Sequence, residues 1–467
     1  MTDVPRLVIS APSSGQGKTM VSVGLLAAFT ARGLRACGFK IGPDYVDAGY
    51  LGMACGRVGR NLDSRLTSPS LVLDLFAHGS AGTDIAIVEG NLGVFDSTAQ
   101  HRRSHSTAYV AQSLRAPVVL VVDAGSSGQS VAALVHGFRS YDELLWLGGV
   151  IFTNVGSDRH EAILRESMED VDVPVLGAIR RNDLTPLPAE HHGLVPVADR
   201  SMDAVRSIRR LGETMLDQVD LDRLLSIARS SPRLSESNWT PEGSLAEAGA
   251  VKSDDAPVVA VAGGSFFTYS YAENVELLQA AGAQVAVVDP LRDEQLPEGT
   301  EALVFGGGFP EWYVEELSSN VELGRQVTEL IGEGAPVVAE SSGFTWLTDE
   351  LDGRPMTGVV PAAARSIDQT VFGYRPATAC ANSVLCPAGL QVTGHKNHRT
   401  LVSPRAGETA AWEWPNGRAE GYIQGNLHAS YLNLHWARHP RMAGRIVSRV
   451  DWAKKRLLTG RRRLWEA

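Results

Sequence analysis

A glycine- and serine-rich turn near the start of the chain has the residue types of a phosphate-binding loop. In VISAPSSGQGKTM, which begins at Val8, a strand pattern leads into this turn and then into a helical pattern. The expected nucleotide contacts come from consecutive residues: Ser14, Gly15, Gln16, Gly17, Lys18 and Thr19. Glycines let backbone N–H groups approach phosphate, the lysine can reach the β and γ oxygens, and the threonine hydroxyl can hold Mg²⁺. Pro12 stands where the usual pattern has glycine, so this is a variant loop, with a plain glycine turn as the alternative.

Two polar residues at the ends of other predicted strands could complete a site for ATP and Mg²⁺. Glu89 ends the run DIAIVEG and is placed to complete the magnesium shell, unless it is a structural carboxylate. Asn154 ends GVIFTN, where a side-chain amide at the carboxyl edge of a parallel sheet could recognise the nucleotide base.

A short acidic turn follows a third predicted strand. FKIGPDYVDAGY carries Asp44, Tyr45 and Asp47 within four residues. Two close acids beside a nucleotide loop can hold Mg²⁺ or orient a substrate, and the alternative is a pair of solvated turn acids. Tyr45 could equally be a packed aromatic residue.

A different kind of turn occurs late in the chain, in PVVAESSGFTWL. This reads as a buried strand running straight into a helix, with Ser341 at the sharp turn where a nucleophile can be lifted out of the fold. The pattern leaves open whether Ser341 does such chemistry.

The elements that must position these residues form two predicted α/β domains. Continuous apolar runs alternate with helical patterns, as in doubly wound, mainly parallel sheets covered on both faces: RLVISA, ACGFKIG, DIAIVEG, PVVLVVDA, LGGVIFTNV and VPVLGAI. After a Ser-, Pro- and Gly-rich stretch the rhythm restarts with PVVAVAG, AQVAVVD, ALVFGGG and PVVAES. We predict a P-loop domain at 1–230, a linker at 231–256 and a second α/β domain at 257–467, whose closing third contains antiparallel strands or loops.

The composition excludes several classes of function. With 44% hydrophobic and 21% charged residues, the chain can fold as a globular protein. A net charge of -10 disfavours binding to nucleic acid, and the basic segment AKKRLLTGRRRLWEA is expected to be a solvated helix. No apolar run approaches the roughly 18 residues of a membrane span, so a cytoplasmic protein is expected. The four cysteines show no spacing typical of zinc sites or disulfide frameworks.

Several motifs together resemble the cobyrinic and hydrogenobyrinic acid a,c-diamide synthases over nearly the whole chain: FKIGPDYVDAGY, RNLDS, VEGNLGVFDS, STAYVAQSLRAPVVLVVDA, FTNVGSDRH, LPAEHHGLVP and GGGFPEWYVEELSSN. These are ATP-dependent amidoligases of cobalamin biosynthesis. Their first domain is related to dethiobiotin synthetase and their second to class I glutamine amidotransferases. The resemblance implies that ATP phosphorylates a peripheral carboxylate of a corrinoid and that ammonia then displaces phosphate.

The resemblance also implies roles for individual residues. Asp44, Tyr45 and Asp47 would orient the substrate carboxylate and the metal, with Asp44 as a metal ligand beside Thr19 and Glu89. Asp96, in GVFDS, would join them in the same cleft. A homodimer is a further possible assembly.

The second domain departs from the family at its expected glutaminase site. Ser341 replaces the nucleophilic cysteine of Ala-Glu-Cys-Gly-Gly, and Asn433 replaces a histidine in Ser-Tyr-Leu-His-Leu-His. Lys396 lies in His-Lys-Asn-His, where the family has His-Glu-Phe-His. We therefore predict a degenerate glutaminase, with nitrogen supplied by ammonia or by a separate glutaminase. A substitute dyad of Ser341 with His428 or His435 is the alternative.

Two other functions remain open from the sequence. Glu190 stands where relatives often carry arginine, and Gly263 and Gly264 replace a usual Arg-Asp pair, which favours a divergent paralogue that amidates another tetrapyrrole or another carboxylate. A non-catalytic nucleotide-binding partner protein is the third hypothesis.

Overall fold

The computed structural model describes residues 3–97, 105–190, 193–194, 201–235, 239–250, 252–264 and 270–450. The chain divides into two units, Met1–Trp239 and Thr240–Ala467. The division falls within the predicted linker, where a short helix also forms at Pro241–Glu247. The predicted basic helix at 453–467 lies outside the described residues, as does the side chain of Glu190.

The described part of the first unit contains nine strands: β1 (Arg6–Ser10), β2 (Ala36–Ile41), β3 (Arg60–Leu62), β4 (Ile85–Glu89), β5 (Val118–Asp123), β6 (Leu147–Val155), β7 (Val175–Arg180), β8 (Ala189–Glu190) and β9 (Gly193–Leu194). The first seven form one sheet in the order β3-β2-β4-β1-β5-β6-β7. Every neighbouring pair in it is parallel. The predicted α/β class is confirmed, and the short edge strand β3 is an element that the sequence reasoning missed.

Helices connect the strands of the sheet: α1 (Lys18–Ala31), α2 (Tyr45–Cys55), α3 (Pro69–Gly79), α4 (Thr107–Ser113), α5 (Val131–Tyr141) and α6 (Asp158–Glu169). Two more, α7 (Ser201–Gln218) and α8 (Leu221–Arg229), follow β9. The strand interiors are buried because helices cover the sheet, and α1 is itself buried along most of its length. β1, β2 and β4 are neighbours in this sheet, so the residues that follow them share one edge.

The described part of the second unit contains twelve strands: β10 (Val258–Ala262), β11 (Gln284–Val288), β12 (Thr300–Phe305), β13 (Val337–Glu340), β14 (Thr348–Leu351), β15 (Arg354–Pro355), β16 (Val360–Ala379), β17 (Gln391–Ser403), β18 (Trp412–Glu413), β19 (Ala419–Glu420), β20 (Tyr422–Gln424) and β21 (Leu427–Ser430). One sheet has the order β11-β10-β12-β13-β21-β20 and is parallel except at its β20 edge. The other contains the long antiparallel pair of β16 with β17, which confirms antiparallel strands in the closing third.

The described part of this unit contains the helices α9 (Pro241–Glu247), α10 (Ala272–Ala280), α11 (Val314–Ser319), α12 (Val321–Gly332) and α13 (Ser342–Trp346), and residues 441–450 are also helical. β13 lies between β12 and β21 in the parallel sheet, and α13 starts directly after the sharp turn at Ser341. Throughout the described residues, no helix is both long enough and apolar enough to cross a membrane.

Candidate active site

The predicted phosphate loop joins β1 to α1 and is held from two neighbouring strands. Gly15 and Gly17 have φ angles of 82° and 92°, a left-handed conformation that glycine adopts without steric strain. The Gln16 side chain accepts a hydrogen bond of 2.8 Å from the Asp123 backbone N–H on β5. The Thr153 hydroxyl on β6 donates to the Gln16 carbonyl at 3.4 Å. These contacts fix the loop at the carboxyl edge of the sheet.

Lys18, the first residue of α1, is buried beside this loop. Its ammonium group donates to the Ser13 carbonyl at 3.1 Å, while Ser14 at the top of the turn is exposed. Burial, reinforced by the neighbouring Lys40 ammonium, lowers the pKa of Lys18 to about 8, against the opposing effect of nearby carboxylates. A phosphate group at the loop would favour its charged form.

Glu89, at the end of β4, contacts residues of two other elements, α1 and β2. The Thr19 hydroxyl donates to Glu89 Oε1 at 2.7 Å, and the Lys40 ammonium lies 2.7 Å from the same oxygen. Glu89 is fully buried, and its Oε2 has no hydrogen-bond partner among the described residues. An unpartnered buried carboxylate oxygen beside a threonine hydroxyl fits a hard cation such as Mg²⁺.

Lys40 is a site residue that the sequence reasoning missed. Besides Glu89, it contacts Asp47 Oδ2 at 2.5 Å and the Gly90 carbonyl at 3.2 Å. Burial alone would lower the pKa of Lys40, but the surrounding carboxylates outweigh burial and raise it, so this residue stays protonated. Its signal was a lysine within an otherwise apolar strand pattern, ACGFKIG.

The three residues of the acidic turn, Asp44, Tyr45 and Asp47, make different contacts. Asp44 is the N-cap of α2, and its Oδ1 accepts the Asp47 backbone N–H at 3.1 Å. Tyr45 is buried as the first residue of α2. Asp47 is the member that reaches into the Lys40 and Glu89 cluster. Thus Asp47 joins Thr19 and Glu89 through Lys40, whereas the Asp44 side chain caps the helix.

Asp96 lies beside the phosphate loop. Its Oδ2 accepts the Gly93 backbone N–H at 3.1 Å. Gly93 packs so closely that a Cβ atom there would lie 2.5 Å from the Pro12 carbonyl of the loop. A cavity of about 510 Å³ opens next to Asp96, with Tyr109 and Tyr141 in its lining. This cavity is of a size typical for small-molecule sites.

Asn154, the penultimate residue of β6, has a positive φ of 58°, and its side-chain amide donates to Asp123 Oδ2 at 2.8 Å. The other Asp123 oxygen accepts the Gly125 backbone N–H at 2.8 Å. Asp123 therefore orients Asn154, a pairing that the sequence did not indicate because the two residues are on different strands.

The described residues contain no group of three or more His, Cys, Asp or Glu side chains that could hold a metal ion unaided. This is compatible with Mg²⁺, which is usually bound by one or two carboxylates together with substrate phosphates and water.

In the second unit, Ser341 occupies a strained turn after β13. Its φ of 50° and ψ of -104° are unusual for a residue with a Cβ atom. The side chain is 1% exposed, and its hydroxyl has no hydrogen-bond partner among the described residues. No Ser–His hydrogen bond is therefore formed at this turn.

Asn433 is held by the backbone of β17. Its side-chain amide donates to the His395 carbonyl at 3.2 Å, and the two backbones exchange N–H···O bonds of 2.9 Å. An amide cannot serve as a proton acceptor in the way an imidazole does.

The two histidines considered as partners of Ser341, His428 and His435, contact other residues. His428 pairs through Nδ1 with the Ser383 hydroxyl at 3.0 Å, and burial lowers the pKa of His428 to about 3. His435 stacks on Tyr271 with ring centroids 4.4 Å apart, and its Nε2 lies 3.5 Å from Glu273. Neither histidine forms the dyad considered from the sequence.

Lys396 forms a buried ion pair with Glu420. Its ammonium group also lies over the rings of Trp414 and Tyr431, 4.6 and 5.6 Å from their centroids. Burial lowers the pKa of Lys396, and Glu420 opposes that effect. Glu420, which the sequence reasoning missed, is thus the buried acidic partner of Lys396.

The glycine-rich loop that follows β12 packs against the start of α13, next to the turn at Ser341. The Gly343 N–H donates to the Gly306 carbonyl at 3.1 Å, and a Cβ atom at Gly343 would lie 2.4 Å from the Phe305 Cβ. This close approach gives Gly343 a packing role that needs no catalysis.

Comparisons with known proteins agree with both units. Residues 7–195 match the family model of the CobQ/CobB/MinD/ParA nucleotide binding domain, and residues 258–441 match that of the CobB/CobQ-like glutamine amidotransferase domain. The chain is 51% identical to the hydrogenobyrinate a,c-diamide synthase of Streptomyces coelicolor, over 96% of this chain and 97% of that protein. It is 43% identical to the protein of the same name from Thermobifida fusca, with the same coverage of 96% and 97%. Identity to the cobyrinate a,c-diamide synthase of Gloeobacter violaceus is 37%, over 95% of this chain and 96% of that protein. The chain belongs to the cobyrinate and hydrogenobyrinate a,c-diamide synthase family.

Proposed function

We propose that this protein is an ATP- and Mg²⁺-dependent amidoligase of cobalamin biosynthesis that converts the a- and c-acetate carboxylates of a corrinoid into amides. The observation that carries the proposal is 51% identity to a hydrogenobyrinate a,c-diamide synthase over 96% of this chain. Hydrogenobyrinate is the first substrate to test, since the relative named for cobyrinate is 37% identical. The reaction is assigned to the first unit.

The loop residues Ser14 to Thr19 would bind the triphosphate, and Asn154 would lie at the base. Thr19, Asp44 and Glu89 would hold Mg²⁺, which would supply positive charge to the phosphates when bound. Lys18 would stabilise the charge that develops on the transferred γ-phosphoryl group. Asp44, Tyr45, Asp47 and Asp96 are proposed to orient the substrate carboxylate, with Asp96 lining the 510 Å³ cavity.

Each amidation takes two steps at this site. A carboxylate oxygen of the substrate attacks the γ-phosphorus of ATP, ADP leaves, and an acyl phosphate forms. The nitrogen of ammonia then attacks the acyl carbon, inorganic phosphate leaves, and a proton is lost from nitrogen to give the amide. Two carboxylates therefore consume two ATP molecules.

We propose free ammonia, or a separate glutaminase, as the nitrogen source. This is supported by the buried Ser341 hydroxyl without a hydrogen-bond partner among the described residues, and by Asn433 paired with the His395 carbonyl. A hydroxyl needs a base to become a nucleophile, and removing nucleophile or base from a protease costs about a millionfold in turnover.

The test is a purified-enzyme assay with ATP, Mg²⁺ and an ammonium salt, in which hydrogenobyrinate, cobyrinate and other tetrapyrrole carboxylates are offered in parallel. Chromatography with mass spectrometry should detect a diamide of hydrogenobyrinate, and phosphate release should match amide formation. Lys18→Ala should abolish both, while Lys252→Ala, at an exposed lysine, serves as the matched control. Turnover of a different carboxylate alone would favour the divergent paralogue. Absence of any Lys18-dependent phosphate release would favour the non-catalytic partner protein.

A further inference from the structure

Lys40 occupies a fixed position between the two sides of the candidate site. The parallel register of β2 and β4 places Lys40 directly beside Glu89, and the start of α2 brings Asp47 to the same ammonium group. Three different elements therefore meet at one buried cation.

The ammonium group of Lys40 has a partner for each of its three N–H donors. They are Glu89 Oε1 at 2.7 Å, the Gly90 carbonyl at 3.2 Å and Asp47 Oδ2 at 2.5 Å. With all donors engaged and only 3% of the residue exposed, the group has little freedom to move. It holds Glu89 by Oε1 and leaves Oε2 buried without a partner among the described residues.

A buried lysine of this kind can belong to a purely structural ion cluster or can support the reaction at the site. A purely structural pair would satisfy both carboxylates internally, whereas here one oxygen of Glu89 is left open next to Thr19. That oxygen lies where the phosphate loop and its metal are expected. Partners that orient a metal ligand are typically needed for full metal affinity and activity.

We propose that Lys40 is a positioning residue of the synthetase site, which couples Glu89 on the metal side to Asp47 on the substrate side. The Lys40 ammonium contacts both carboxylates and fixes the distance between them, so that metal, γ-phosphate and substrate carboxylate meet in one geometry. Because this role presupposes the proposed phosphoryl transfer, its first readout is one that requires no corrinoid.

The experiment measures binding of Mn²⁺, as a paramagnetic substitute for Mg²⁺, in the presence of a non-hydrolysable ATP analogue. Electron paramagnetic resonance gives the Mn²⁺ affinity, and calorimetry gives the affinity for the analogue. For Lys40→Met we expect Mn²⁺ affinity to fall by about 10- to 100-fold, as for other groups that orient metal ligands. Lys40→Arg should recover part of that affinity because it keeps the charge but not the compact geometry. Lys252→Met is the matched control at an exposed lysine.

Turnover with the corrinoid is the second readout, and kcat should fall more than the KM for ATP rises. A folded Lys40→Met protein whose Mn²⁺ affinity and kcat stay within about twofold of wild type would overturn the proposal. Removing a cation with a purely structural role would leave both quantities near their wild-type values. If Lys40→Met does not fold, Lys40→Arg decides, and wild-type Mn²⁺ affinity there would also contradict it. A wild-type protein that binds Mn²⁺ together with the ATP analogue but fails in the amidation assay would instead count against the proposed substrate.

Discussion

Ser341 combines two unfavourable features that a single substitution can remove. Its positive φ of 50° is sterically strained for a residue with a Cβ atom, which typically costs about 1–3 kcal/mol. Its hydroxyl is buried without a partner among the described residues, a further penalty of about 1–3 kcal/mol. If the turn no longer serves catalysis, no function compensates for either penalty.

Ser341→Gly should therefore stabilise the second unit. Glycine relieves the strain and removes the hydroxyl, but its greater freedom in the unfolded chain costs roughly 0.5–1 kcal/mol. Loss of Cβ packing further reduces the gain, so we expect a net stabilisation of about 1–2 kcal/mol. Ser341→Ala keeps the strain and removes only the hydroxyl, and should be stabilised by about 1 kcal/mol less than Ser341→Gly.

The assay is urea unfolding of the full chain, followed by tryptophan fluorescence, which reports on the second unit through the buried side chains of Trp346, Trp412 and Trp436. A higher midpoint with an unchanged slope indicates a gain in stability. Ammonia-dependent amidation should be unchanged in both variants. A Ser341→Gly protein less stable than wild type would refute the strain argument, and loss of a glutaminase activity present in the wild type would show that Ser341 is catalytic.

Two further predictions concern buried charges in the second unit. Burial raises the pKa of Glu340 from 4.5 to about 8, so the folded protein retains a proton that the unfolded chain releases between these values. Stability should then fall by roughly 2–3 kcal/mol between pH 5 and 7 from this group, and urea unfolding of Glu340→Gln should show a weaker decline with rising pH. Lys396→Met leaves the buried Glu420 with only the partly exposed Arg405, 3.4 Å away, as a cation and should destabilise by up to about 3–5 kcal/mol. The double variant with Glu420→Gln should recover much of that loss, and equal unfolding midpoints for the single and double variants would contradict this account.

The sequence predicted the parts of the fold that depend on local pattern. Apolar runs identified the six longer strands of the first sheet, and the loop before Lys18 was evident from its glycines. Glu89 was predicted to complete a magnesium shell with Thr19 because it ends a strand pattern, and in the structure the Thr19 hydroxyl lies 2.7 Å from Glu89 Oε1. The roles of these residues in catalysis remain predictions.

The remaining features depend on contacts between residues far apart in the chain. Lys40 looked like an interruption in an apolar strand, because only the register of β2 and β4 shows that it lies beside Glu89. Asp123 is separated from Asn154 by a helix, and Glu420 by 24 residues from Lys396. Single-sequence patterns carry no information on such pairs, which tertiary packing selects.

The nitrogen donor tests the central claim most directly. The purified chain is given hydrogenobyrinate, ATP and Mg²⁺ with either ¹⁵N-labelled ammonium or glutamine labelled with ¹⁵N at its amide, and the diamide is analysed by mass spectrometry. We predict labelled product from ammonium and none from glutamine as the sole donor. Efficient incorporation of the glutamine amide nitrogen by the purified chain would contradict the account.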